Sequence, residues 1–243
     1  MTIRAVLLDY GDTIAGFFRP DAQLLDAYHQ INLRLEADLE REVPGAAELV
    51  RAVSHGVDAA IGADYANGSE LELDIAAIYD RCLRSVGLEL AAETVRWVIA
   101  QEQAAWIHGI SVSPAAAPTL AALRDRGLRL AIVSNATFPA EGLRDQLRRH
   151  GLFECFDATV YSSELGLRKP HPAIYEDALR RLGAGPEEAV FVGDRLREDV
   201  RGPRALGIRA FLTHEFRQET PEPDEVTVLP SLAALPAAID ALA

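Results

Sequence analysis

Short apolar runs that end on a polar residue constrain this chain more than any other feature. Ala5 to Leu8 runs into Asp9, Leu128 to Val133 into Ser134 and Asn135, and Ala189 to Val192 into Gly193 and Asp194. Apolar runs of this length, bounded by turn formers, read as strands buried on both faces. Helical stretches separate the later ones: Pro114 to Arg126 ended by Gly127, Pro139 to His150 stopped by Gly151, and Pro172 to Leu182 with Gly183 just beyond. Shorter strands are expected at Ala158 to Tyr161 and Ala210 to Leu212, with a helix from about Asp199 to Leu206. Alternating strands and helices build a parallel sheet with right-handed crossovers. The fold class is therefore α/β, a doubly wound, Rossmann-like parallel sheet. Ligands bind such sheets beyond the carboxyl ends of the strands. Asp9, Ser134 and Asp194 all stand at that edge.

An unlike segment separates the first strand from the rest. Between Pro20 and Gly109 the spacing turns helical, over Asp21 to Arg41, Ala46 to Ile61, Leu71 to Val86 and Glu93 to Ile107. Pro44-Gly45, Gly62 to Ser69 and Gly87 mark the breaks. The expected organisation is a sheet core of residues 1–16 and 110–243 with an all-helical cap, 17–109, inserted into it. Phe17, Phe18 and Arg19 follow the first loop as a candidate flap, with Arg19 as a candidate substrate contact. Trp97, Trp106 and Tyr79 read as packing residues, and His29, His55 and His108 lack metal-ligand spacing. Pro203 implies that the helix after Asp199 is kinked or starts late.

With 49% hydrophobic and 25% charged residues, the chain has the composition of a globular protein. No apolar run approaches the roughly 18 residues of a membrane span. Met1-Thr2-Ile3-Arg4 leads straight into the first strand without a signal-peptide pattern, so a cytoplasmic location is expected. A net charge of −13 disfavours nucleic acid and anionic membranes as partners. A monomer and a homodimer are both compatible with the sequence. Cys82 and Cys155 belong to no ligand motif and read as small buried hydrophobes.

Lys169 is the single lysine among 24 basic residues. A chain that otherwise uses arginine keeps lysine where a compact ammonium is needed. Phosphoryl transfer to a carboxylate needs a positioned Asp, a divalent cation, and a donor and a positive charge for the phosphate oxygens. Asp9 and Asp194 are candidate ligands for Mg²⁺, which takes oxygen ligands. Asp199 is placed to reach back and fix the metal shell. Ser134 supplies a hydroxyl and Lys169 the ammonium.

Leu7-Leu8-Asp9-Tyr10-Gly11-Asp12-Thr13-Ile14 resembles the first motif of the haloacid-dehalogenase-like (HAD) hydrolase superfamily. Val133-Ser134-Asn135 resembles the second, Arg168-Lys169-Pro170-His171-Pro172 the third, and Val192-Gly193-Asp194 through Asp199-Val200 the fourth. The resemblance covers residues 3 to about 213 and implies a helical cap inserted after the first motif. It implies a phosphatase in which Asp9 forms an aspartyl-phosphate and shares Mg²⁺ with Asp194 and the carbonyl of Gly11. Ser134, Asn135 and Lys169 would hold the phosphate, and Lys169 would be the family's catalytic lysine. The expected substrate is a small phosphate ester, because acids outnumber arginines more than two to one across the insert.

One departure stands out. The family's phosphatases usually carry a second Asp two residues after the nucleophile as general acid and base, and here that position is Gly11. Three readings remain: Asp12 substitutes, the leaving group needs no proton, or the protein acts mainly by binding. A 2-haloacid dehalogenase, which uses the same Asp without metal, is the alternative enzyme. It has no use for the acid pair Asp194 and Asp199.

Overall fold

A computed structural model of the chain describes residues 2–242. In chain order the elements begin with β1 (Ala5–Leu8), β2 (Ala15–Phe17), α1 (Asp21–Leu39) and α2 (Ala46–Leu49). They continue with α3 (His55–Ala66), α4 (Ile75–Ser85), α5 (Ala92–Trp106), β3 (Ile110–Val112), α6 (Ala116–Asp125), β4 (Arg129–Ser134) and α7 (Ala140–Arg149). The last are β5 (Ala158–Tyr161), α8 (Ser162–Leu165), α9 (Pro172–Leu182), β6 (Ala189–Gly193), α10 (Gly202–Ala205), β7 (Arg209–Thr213), β8 (Thr227–Leu229) and α11 (Leu235–Asp240). Internal packing divides the chain into two units. A sheet unit takes the residues up to Phe17, Glu70–Glu72, and those from Ser111 onward. A helical unit takes Phe18–Ser69 and Leu73–Ile110.

Six parallel strands form the sheet, in the order β5-β4-β1-β6-β7-β8. The chain builds outward from β1 through β4 to β5, then returns to lay β6 on the other side of β1. That reversal creates the crevice where open α/β sheets bind ligands. β1 is central, and all four of its residues are fully buried. Leu8 lies level with Ile132 of β4 and Val192 of β6, so Asp9, Ser134 and Asp194 emerge at one edge. On one face of the sheet, Ile174, Tyr175, Ala178, Leu179 and Leu182 of α9 pack against Leu7, Val133, Val160 and Phe191. Each aliphatic side chain so buried contributes about 1.5–3 kcal/mol.

β2, β3 and β8 have three residues each, too few for an alternating pattern to register, and sequence reasoning missed them. β2 and β3 pair as a separate ribbon where the chain enters and leaves the insert. Gly109 is required there: a Cβ would stand 2.0 Å from the carbonyl oxygen of Phe18. Glu70–Glu72, expected inside the insert, pack instead with the sheet unit, where Leu71 bridges Leu167 in antiparallel fashion. Cys82 and Cys155 are free and only half-buried, so the expectation of buried thiols fails. Among the described residues, no helix is long and apolar enough to cross a membrane.

The helical unit buries Leu24, Tyr28, Ile31 and Leu35 along one stripe of α1 and Val95, Val98, Ile99 and Ala105 along α5. Glu102 falls on that same α5 stripe and is fully buried. Its carboxylate accepts hydrogen bonds from Tyr28 Oη at 2.5 Å and Ser54 Oγ at 2.6 Å. A π-helical turn over Val50–Ser54 precedes α3 and ends on that serine. Burial, reinforced by the Glu102 charge, raises the Tyr28 hydroxyl far above its usual range. Replacing Glu102 by leucine strands two buried hydroxyl donors at about 1–3 kcal/mol each. Denaturant unfolding of Glu102→Leu should therefore show a loss of at least about 2 kcal/mol, and wild-type stability would contradict this account.

Candidate active site

Asp9 begins where β1 ends, and its backbone N–H is held by the Val192 carbonyl at 2.9 Å. The residue is 7% exposed. Lys169 Nζ, itself buried, donates to Asp9 Oδ1 and to Asp199 Oδ1, both at 2.7 Å. The ammonium also lies 5.2 Å from the centre of the Phe191 ring, a cation–π contact with the floor of the site. Thr13 Oγ1 donates to Asp9 Oδ2 over a longer 3.5 Å. Asp9, Asp194 and Asp199 each offer a carboxylate oxygen, and these oxygens lie within 4.8 Å of one another.

The loop after β6 is shaped around Asp199. Its Oδ2 accepts the backbone N–H of Asp194 at 3.1 Å and of Arg195 at 3.0 Å. A six-residue π-helical stretch, Leu196–Arg201, returns the carboxylate to the strand end, after which the helix resumes as α10. Pro203 sits in the first turn of α10, where no hydrogen bond from its nitrogen is needed. Tyr175 Oη donates to the Glu198 carbonyl at 2.5 Å and braces the same turn. Gly193 makes the arrangement possible, since a Cβ there would meet Asp199 Cγ at 2.2 Å. Asp199 thus spends both oxygens on Lys169 and the loop amides. Through these bonds it anchors the acidic cluster to which its own carboxylate belongs.

Asp194 is different. It is 1% exposed, and neither of its carboxylate oxygens has a hydrogen-bond partner among the described residues. Arg217 Nε approaches Oδ2 only to 3.7 Å. Burial, then the charges of Asp9 and Asp199, push the Asp194 carboxyl up to about 8. Asp9 is pushed up to about 6, chiefly by burial and against the pull of Lys169. Burial alone would lower Lys169, but Asp199 and Asp9 outweigh it and hold the ammonium charged. Three acids thus share the buried Lys169 ammonium, with the half-exposed Arg217 only within long ion-pair distance of Asp194, and a carboxylate without a hydrogen-bond donor there fits a bound divalent cation.

The remaining candidates divide. Ser134 is 5% exposed at the end of β4, and its hydroxyl makes no hydrogen bond among the described residues. The Asn135 side chain is committed elsewhere, as it accepts the Lys169 N–H at 2.7 Å and donates to the Lys169 carbonyl at 3.1 Å. Its side chain therefore positions the Lys169 backbone. Arg19 is likewise engaged within the helical unit, with Asp21, Asp58 and Ser54, the last at 2.7 Å. These contacts make it an ion-pair partner within that unit. Gly11 brings its backbone into a bridge with Ala15, and Asp12 beside it takes a left-handed conformation, φ 55°. Tyr175 and Arg217 went unnoticed in the sequence because nothing local distinguishes them, and Thr13 was read only as part of the first motif.

Because Asp9 and Asp194 hold protons more tightly in the folded chain than in the unfolded one, metal-free stability should fall as pH rises from about 4 to 8. A divalent cation competes with those protons, so Mg²⁺ should stabilise the protein more at pH 8 than at pH 5. At a hundred times its Kd the gain is about 2.7 kcal/mol. Asp194→Asn should raise the metal-free Tm at pH 8 and abolish the Mg²⁺ effect. A wild-type Tm at pH 8 indifferent to Mg²⁺ would contradict the assignment.

Residues 3–207 match the protein family described as haloacid dehalogenase-like hydrolase. The chain is 30% identical over 223 residues to glyceraldehyde 3-phosphate phosphatase of Methanopyrus kandleri, covering 91% of this chain and 88% of that protein. Among solved structures, an HAD phosphatase from Thermococcus onnurineus superposes with a TM-score of 0.63 at 24% identity, over 98% of each chain. A 2-haloacid dehalogenase from Pseudomonas syringae gives 0.67 at 23% identity, over 100% of each. The two structures speak for the fold alone, whereas the family match and the Methanopyrus relative span most of the chain. On those grounds the chain belongs to the haloacid dehalogenase-like hydrolase family.

Proposed function

We propose that this hydrolase is a Mg²⁺-dependent phosphatase of small phosphorylated metabolites, with Asp9 as nucleophile. The observation that carries the reading is the orphaned Asp194 carboxylate, buried beside Asp9 with no hydrogen-bond donor to satisfy it. Asp9, Asp194 and the Gly11 carbonyl would hold the cation, with Asp199 fixing the loop that presents Asp194. When bound, the cation offsets the repulsion between an attacking carboxylate and an anionic phosphate.

The chain's own residues supply the rest. Lys169 fixes Asp9 Oδ1 and brings positive charge to the equatorial phosphate oxygens. Ser134 offers an uncommitted hydroxyl at the neighbouring strand end. Asp9 attacks phosphorus and the bond to the leaving oxygen breaks; that oxygen leaves as an aryloxide or takes a proton from solvent water, since Gly11 supplies none. Water then attacks phosphorus in the aspartyl-phosphate, releasing phosphate and regenerating the carboxylate. The Methanopyrus relative, named for a phosphorylated three-carbon substrate, supports a small ester as substrate.

Gly11 is the feature that favours a second reading, a dehalogenase or a weakly active binding protein. The acid cluster argues against a haloacid, whose carboxylate would meet three others. A Cβ at Gly11 would stand 3.6 Å from the Phe17 ring, an ordinary contact, and its φ lies outside the left-handed region. Aspartate can therefore be introduced at that position.

The test is hydrolysis of p-nitrophenyl phosphate and of an alkyl phosphate with Mg²⁺, with and without EDTA. Wild type should turn over both, the aryl ester faster, and Asp9→Asn should be inactive. Gly11→Asp should raise the alkyl phosphate rate by about 10²-fold, the lower range for general acid catalysis. Release that is insensitive to EDTA, or that survives in Asp9→Asn, would contradict the proposal.

A further inference from the structure

Among the described residues, Arg168 is the largest fully buried side chain. A guanidinium cannot shed its charge, so burying it costs several kcal/mol unless a carboxylate is buried with it. That carboxylate comes from far away in the sequence. Arg168 Nε and one terminal nitrogen both donate to Glu72 Oε1, at 2.9 and 2.8 Å, with the two side chains 1% and 3% exposed. Glu72 lies within the insert, yet the chain leaves the helical unit for only three residues, Glu70–Glu72, and then returns to it. Those residues run extended beside the loop before Lys169. The Arg168 N–H donates to the Glu70 carbonyl at 2.8 Å, and the Glu72 N–H to the Gly166 carbonyl at 3.0 Å. Leu71 between them is 66% exposed. This excursion gains no apolar burial from Leu71, and its product is the buried ion pair.

The other oxygen of Glu72 leads into the site as well. Oε2 accepts the hydroxyl of Ser162, whose Oγ in turn accepts the Ala136 N–H at 2.7 Å. Ala136 follows Ser134 and Asn135 on the loop after β4. Asn135 then clasps the backbone of Lys169 from both sides. A single carboxylate therefore anchors both loops that present the phosphate-facing groups, one through Arg168 and one through Ser162.

We propose that Glu72 is a positioning residue: it sets the placement of Lys169 and of the Ser134 loop through Arg168 and Ser162. The catalytic consequence rests on the phosphatase reading above, whereas the structural coupling does not. Positioning makes a distinct demand from stability. A purely structural ion pair can be replaced by well-packed apolar residues with little loss, and activity would return with stability. A positioning pair cannot be replaced in this way, because misplacing a reacting group by about 1 Å costs on the order of 10²-fold in rate.

The experiment compares wild type, Glu72→Gln, and the double variant Glu72→Leu with Arg168→Met. For each, Tm is measured with kcat and KM on p-nitrophenyl phosphate and with the Mg²⁺ concentration for half-activation. Amide hydrogen exchange is followed at Ala136 and residues 166–171. Glu72→Gln should lose about 10²-fold in kcat/KM with the Mg²⁺ requirement unchanged. The double variant should regain wild-type Tm while remaining as slow as Glu72→Gln. In both, exchange at Ala136 and at 166–171 should accelerate. Recovery of activity together with Tm in the double variant would overturn the proposal. So would unchanged exchange at Ala136 in Glu72→Gln, a readout that stands even if no phosphate ester is turned over or the double variant fails to fold.

Discussion

The ammonium of Lys169, buried between Asp9 and Asp199, is the interaction on which the rest of the site depends. It places one positive charge among three carboxylates, and the balance it leaves is negative. Burying a surplus charge is expensive, and here the cost is concentrated on Asp194, the one acid without a donor. Asp199 is neutralised by the lysine and by two loop amides, and Asp9 shares the same lysine. A bound divalent cation would offset that balance, and burial together with the neighbouring acids raises the carboxyls of Asp9 and Asp194.

The sheet explains why these groups can meet. Parallel strands in register deliver their ends to one edge, and the return of the chain from β5 to β6 opens a crevice beside β1. Small deviations from regular structure then do the fine placement. Gly193 makes room for the Asp199 carboxylate, the π-helical stretch after it turns that carboxylate back, and Tyr175 braces the turn. Each of these trades some regularity of backbone or packing for a fixed charge. Departures from ideal geometry tend to gather at working sites for this reason.

Much of this was legible in the sequence, for identifiable reasons. Strands buried on both faces are written as apolar runs, so β1, β4 and β6 and the polar residues that end them could be read directly. The lone lysine stood out against a background of arginine. What could not be read depends on contacts between distant residues. Glu72 looks like one more acid in an acidic insert, and its partner is 96 residues away. Arg19 and Asn135 had the right residue types for ligand contacts, but their side chains are occupied by Asp58 and Ser54 in one case and by the Lys169 backbone in the other. Strands of three residues carry too little pattern to register. Fully buried Glu102 was equally invisible, because burial of an acid shows only once its hydroxyl donors are in place.

The central claim is that Asp9 and Asp194 share one divalent cation opposite Lys169. Anomalous diffraction from crystals grown with Mn²⁺ in place of Mg²⁺ tests it most directly. The account predicts a single strong peak bonded to a carboxylate oxygen of each aspartate, with the Lys169 ammonium still on Asp9. Full-occupancy Mn²⁺ bound elsewhere, or this space remaining vacant at saturating metal, would contradict it.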